Sequence, residues 1–103
     1  MRAYPGTSFS YGGIGFQVVA LAAVRATGED WHQLFATRVA NRLGMRNTQF
    51  GTLFPVAAQA GKTALPWVPG GAVSTLSDYT RFVQMLLGEG LWHGNRVLAA
   101  ASV

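Results

Sequence analysis

Three stretches of this chain carry apolar residues at helical spacing, and each closes on a glycine. Ile14 to Val24 is apolar except for Gly15 and Gln17. The pattern predicts a helix from about Ile14 that stops at Gly28, since a glycine just past the last turn readily takes the left-handed conformation. Nearly every side of that helix is apolar, so it is expected to be buried in a larger fold. A second helix should follow Asp30, a good N-cap with Gln33 three residues on. Trp31, Leu34, Phe35, Val39 and Leu43 recur at three- and four-residue steps, and Gly44 ends the run. The third opens at Ser74 or Thr75, with Asp78 favourable in its first turn. Its stripe is Tyr79, Phe82, Val83, Leu86 and Leu87, with Gly88 as the stop.

The intervening residues read as connections. Tyr4-Pro5-Gly6-Thr7 has turn chemistry: proline presets φ and glycine tolerates a positive one. Phe9 to Gly13 is expected to be a short extended or looped stretch, and Met45 to Phe50 leads into a loop. Phe54 to Pro69 shows no period and reads as a long irregular connection of the sort that carries lids or framework excursions. Leu91 to Leu98 suggests two short strands around a turn centred on Gly94-Asn95. The expected chain is therefore mainly α-helical, about three helices, with a short β-turn unit near its C-terminus.

Composition changes that picture in one respect. Of 103 residues, 50% are apolar and 13 more are glycine, while only 12% are charged. A self-contained soluble domain has about twice that share of charge. The expectation is a piece of a larger protein, whose other segments cover the apolar faces. The run before Arg25 is too short to span a bilayer, and its Gly-, Ser- and Tyr-rich lead is unlike a signal peptide's basic start. Seven arginines and one lysine against four acids give a net charge of +4, but these residues are scattered. Arg38, Arg42 and Arg46 alone fall at helical spacing, so no nucleic-acid partner is expected. Residues 14–43 do have a superficial helix-turn-helix layout. That alternative is disfavoured by Glu29-Asp30, which would face phosphates. Without cysteine there is no disulfide or thiolate chemistry. Neither His32 nor His93 is spaced for a metal with an acid cluster, so no metal and no cofactor is expected. His93 reads as an exposed turn residue and His32 as a solvated one on a helix's charged side.

Four segments, in order, carry a resemblance. They are Pro5-Gly6-Thr7-Ser8-Phe9-Ser10-Tyr11 before an apolar helix, Arg42-Leu43-Gly44-Met45 with Thr48 and Phe50, Gly70-Gly71 with Ser74-Thr75, Asp78, Phe82 and Leu86-Leu87, and Gly94-Asn95-Arg96-Val97-Leu98. Together they resemble an internal region of the serine β-lactamases of class C, the penicillin-binding proteins and related esterases. Arg42 stands where those proteins usually have proline. The resemblance implies an α+β parent fold and a serine hydrolase acting through an acyl-serine. Its substrate would be a small acyl compound such as a β-lactam, ester or peptide.

Members of that group combine a Ser-x-x-Lys nucleophile motif, a tyrosine motif and a third Lys-Thr-Gly or His-x-Gly strand. A serine hydroxyl attacks poorly until a positioned base takes its proton. A phenol with pKa near 10 serves as that base only beside a cation that favours its ionised form. By the resemblance Tyr11 is the catalytic tyrosine, and Gly13 and Gly71 border the substrate. Gly13 stands where asparagine or serine is usual, which departs from a β-lactamase proper. The nucleophile motif is missing: the only lysine, Lys62, has Gln59 three residues before it. Residues 1–103 thus read as a partial hydrolase domain, inactive alone.

Overall fold

A computed structural model describes residues 3–52 and 65–103. Lys62 and most of the irregular connection from Phe54 lie outside the described residues. Helix α1 (Gly13–Thr27) begins after the extended Gly12 and ends at Gly28, whose φ of 72° is left-handed. Ahead of it, Tyr4 to Thr7 form the expected turn. Gly6 has φ 82°, and the Thr7 hydroxyl and N–H both donate to the Tyr4 carbonyl.

Helix α2 (Trp31–Phe35) opens with the complete reciprocal cap: Asp30 accepts from the Gln33 N–H and Gln33 accepts from that of Asp30. It passes through a π-helical turn (Ala36–Ala40) into a last α turn, α3 (Asn41–Leu43). The Asn41 N–H reaches back five residues to Ala36. That wider turn shifts the buried stripe by one position. Ala40 is buried where an unbroken α period placed Val39, which is half-buried. Gly44, φ 68°, ends the helix, and Met45 N–H closes on the Ala40 carbonyl, the six-to-one bond of a Schellman stop.

Helix α4 (Leu76–Leu87) is capped by the Thr75 hydroxyl, which accepts from Asp78 N–H. Its stop differs from the expected one. Gly88 has φ −83° and the left-handed residue is Glu89, φ 54°. Glu89 N–H donates to Leu86 and Gly90 N–H to Met85, so the Schellman pattern forms with glutamate in the slot glycine prefers. Gly90, φ 89°, cannot carry a side chain, since a Cβ would collide with the Leu98 carbonyl. Glu89→Gly is expected to raise stability by about 0.5–1 kcal/mol, seen as an upward shift in urea midpoint at unchanged m-value.

Two short antiparallel pairs complete the chain. Strands β3 (Leu91–Trp92) and β4 (Asn95–Arg96) pair Leu91 with Arg96 and Trp92 with Asn95. The turn is therefore centred on His93-Gly94, not Gly94-Asn95. Both residues have positive φ, 48° and 79°, as a two-residue type I′ connection demands. Strands β1 (Gln49–Phe50) and β2 (Ala72–Val73) pair Gln49 with Val73 and Phe50 with Ala72. Gln49 and Phe50, at the end of the stretch expected to lead into a loop, thus form a strand whose partner lies more than twenty residues away. The core is Ala40, Leu43, Met45 and Met85, with Phe35, Phe82 and Trp92 packed on it. Phe50 joins it through edge contacts to Trp31 and Phe35 at 5.5 and 5.0 Å. Among the described residues no helix is long and apolar enough to cross a membrane.

Candidate active site

Tyr11 lies two residues ahead of α1 on the extended lead-in and is 89% exposed. Gly12 is extended, φ −170° and ψ 144°, so the Tyr11 Cα stands within about 7 Å of that of Gly13. At Gly13 the helix meets the segment that returns from the irregular connection. A Cβ there would sit 3.0 Å from Trp67 Cζ2 and 3.5 Å from Pro69 Cβ. The helix start is close enough to the indole edge that any side chain at position 13 must displace it.

Gln17 holds that segment in place. Its Nε2 donates to the Pro66 carbonyl at 3.0 Å, and its Oε1 accepts from Val68 N–H at 2.9 Å. One side-chain amide thus pairs with the backbone on both sides of Trp67, as a neighbouring strand would. The Trp67 backbone is held from the opposite side: its N–H donates to Gly51 and its carbonyl accepts from Gly71 N–H. Gly71 returns the contact, accepting from Gly51 N–H at 2.7 Å. A Cβ at Gly71 would press on the Trp67 and Gly51 carbonyl oxygens. The close backbone ladder itself therefore requires glycine at position 71.

Below this, Asp78 joins α4 to the chain entering β1. It is 3% exposed, and its Oδ2 accepts from Asn47 N–H at 2.7 Å and from the Thr48 hydroxyl at 2.8 Å. Burial alone would raise its pKa. Hydrogen bonds from Asn47, Thr48 and the Arg46 backbone, with the nearby Arg81 charge, outweigh that and hold the carboxyl below its usual value. Arg81 also donates to the Gly44 carbonyl, and the Thr48 and Ser74 hydroxyls meet at 2.7 Å.

Of the residues singled out from the sequence, Gly13 and Gly71 are brought together, both against Trp67. Tyr11 is joined to them through the backbone of Gly12. Among the described residues its hydroxyl has no hydrogen-bond partner, and no cluster of three His, Asp or Glu is placed to hold a metal ion. His93 is exposed in its turn, whereas His32 is half-buried rather than solvated. Gln17 and Trp67 escaped the sequence reading. Gln17 had left a signal, as the one hydrogen-bonding side chain inside an otherwise apolar run.

The chain is similar to known proteins along most of its length. The family model described as Beta-lactamase matches residues 1–102. The D-alanyl-D-alanine-carboxypeptidase/endopeptidase AmpH of Escherichia coli K12 is 29% identical over 100 residues, covering 86% of this chain and 26% of that protein. AmpH of Escherichia coli O157:H7 matches equally. The crystal structure of a candidate beta-lactamase from Bacteroides dorei DSM 17855 superimposes with a TM-score of 0.76 at 32% identity, over 95% of this chain and 28% of that one. The chain spans about a quarter of the length of the curated relatives it matches.

Proposed function

The chain belongs to the beta-lactamase family, and from that premise we propose that it supplies the tyrosine-bearing part of a serine hydrolase working through an acyl-serine. The observation that carries this reading is Tyr11, 89% exposed on the extended lead to α1 and next to the glycine-lined contact of Gly13 with Trp67. A phenol open to solvent, beside a surface that glycines keep free of side chains, has the access that a proton-transfer group needs. In this reading Tyr11 Oη takes the proton from a serine Oγ contributed by a Ser-x-x-Lys segment outside these 103 residues. The Oγ bonds to the substrate's carbonyl carbon, the C–N or C–O bond breaks, and the departing group takes the proton back. Water then cleaves the acyl-serine, releasing the acid and restoring the serine. Gly13 and Gly71 border the substrate through their backbone. The substrate class is a β-lactam, a small ester or a D-alanyl peptide, the last because AmpH bears that activity in its name.

Covalent trapping tests the reading. The full-length protein, incubated with a fluorescent penicillin and digested, is expected to carry one acyl adduct on a serine outside residues 1–103. The 103-residue chain alone should hydrolyse a chromogenic β-lactam or p-nitrophenyl ester no faster than buffer. An adduct on any serine of this chain, or no adduct with penicillin, ester or peptide in the full-length protein, would overturn it.

A further inference from the structure

We propose that the cleft between α4 and the β3–β4 turn is a ligand site that takes a small phosphomonoester through Arg81 and His93. Ser77, Arg81 and Gln84 follow one another on α4 at steps of four and three residues, so they share one face of that helix. The Leu43-Gly44 helix stop and the hairpin turn at Trp92-His93 stand opposite, and together these walls bound an open cleft of about 550 Å³. Clefts that hold small ligands run from roughly 300 to 1,000 Å³. Tyr11, Gly13 and Gly71 are absent from its walls, so the proposal does not depend on the reading of the tyrosine.

Two features set this face apart from an ordinary solvated one. The guanidinium is seated: Arg81 donates to the Gly44 carbonyl, and a Cβ at position 44 would stand 2.9 Å from Nη1, so glycine there makes the room. Among the described residues its remaining N–H groups have no acceptor, which leaves a positioned fork for an oxyanion. The second feature is an excess of unspent donors. No carboxylate lines the cleft, and the side chains of Ser77, Gln84 and His93 make no hydrogen bond among the described residues. An imidazole supplies an N–H donor in either protonation state. The left-handed backbone of His93 and the Trp92 ring, edge-on at 4.3 Å, hold it in the wall. Asp78 offsets part of the Arg81 charge, but it lines the adjoining recess, where Arg46 also lies. A phosphomonoester brings three acceptor oxygens and about two negative charges, enough for the guanidinium, the imidazole and the Ser77 hydroxyl together. A carboxylate, with two oxygens, would leave one of these donors unmatched.

Titration calorimetry of the full-length protein with glycerol 3-phosphate at physiological salt provides the test. One equivalent is expected to bind with a Kd of about 1 mM or tighter. Inorganic phosphate should compete for the same site, and glycerol should not bind. Arg81→Lys keeps the charge but loses the fork, and should weaken binding about tenfold. His93→Asn should weaken it about fivefold. Asparagine before glycine suits the same turn, so this variant removes the contact and keeps the hairpin. If R81K lowers the melting temperature, H93N decides alone. No binding to the wild-type protein, or undiminished affinity in H93N, overturns the site. So does glycerol binding as tightly as its phosphate, since the oxyanion would then not be what is recognised.

Discussion

Tyr11→Phe is expected to slow acylation of the full-length protein by about 10²- to 10⁴-fold, the usual contribution of a positioned proton-transfer group. The change removes one oxygen. The ring remains, and at 89% exposure it has little packing to lose. The hydroxyl bonds to none of the described residues, so no contact among them disappears with it. Thermal stability should therefore stay within about 0.5 kcal/mol of the parent. KM for a small ester should change little while kcat falls, since the phenol acts on the proton in flight rather than on the bound substrate. Pre-steady-state acylation with a chromogenic ester separates the two. A loss below tenfold would remove Tyr11 from the chemistry and leave it as an exposed aromatic ahead of a helix.

Asp78→Ala is expected to cost about 2–4 kcal/mol of stability, the largest structural effect of any single change considered. The alanine leaves the Asn47 N–H and the Thr48 hydroxyl without their acceptor, removes the charge from the first turn of α4 and frees Arg81 of its nearby carboxylate. Asp78→Asn keeps an acceptor and should cost less, about 1–2 kcal/mol. The pH dependence has a definite sign. The folded carboxyl titrates below its unfolded value near 4. Its contribution is therefore complete above the unfolded pKa and fades as pH falls through the folded one. Urea midpoints measured from pH 7 down should drop for the wild-type protein below about pH 4 and be flatter for D78N. Parallel curves for the two would show that Asp78 does not anchor the 46–48 segment through its charge.

The family assignment displaces the alternative of a helix-turn-helix module over residues 14–43, although both helices lie where that reading put them. A bare helix pair is shared by many architectures. The ordered landmarks running from Pro5 to Leu98 carried the discrimination.

The apolar character of α1 raises a related point. Only Ala20 among its residues is buried, while Ile14, Phe16, Val18 and Val19 are more than half exposed. The sequence led to the expectation of a helix buried in a larger fold, and segments beyond these residues are proposed to cover that face.

What the residues determined by themselves was local. The Asp30–Gln33 cap, the Thr75 cap, the left-handed glycines at 28 and 44 and the turn at Pro5-Gly6 each satisfy hydrogen bonds within a few positions, so a few side chains suffice to encode them. The same holds for Tyr11, whose place before α1 follows from its motif. Only the tertiary structure decided what crosses the chain. Gln17 binds Pro66 and Val68 from about fifty positions away, and nothing near Gln17 announces those partners. Asp78 reads as a helix N-terminal acid from its neighbours and becomes a buried anchor because the Asn47 and Thr48 donors arrive opposite it. Ala40 replaces Val39 in the core because one π turn adds a residue to the period. Glu89 takes the left-handed slot because the helix carries on through Gly88, so the closing bonds to Leu86 and Met85 come from Glu89 and Gly90. Long-range contacts depend on where two segments are carried together, and that is settled by packing after the local elements have formed.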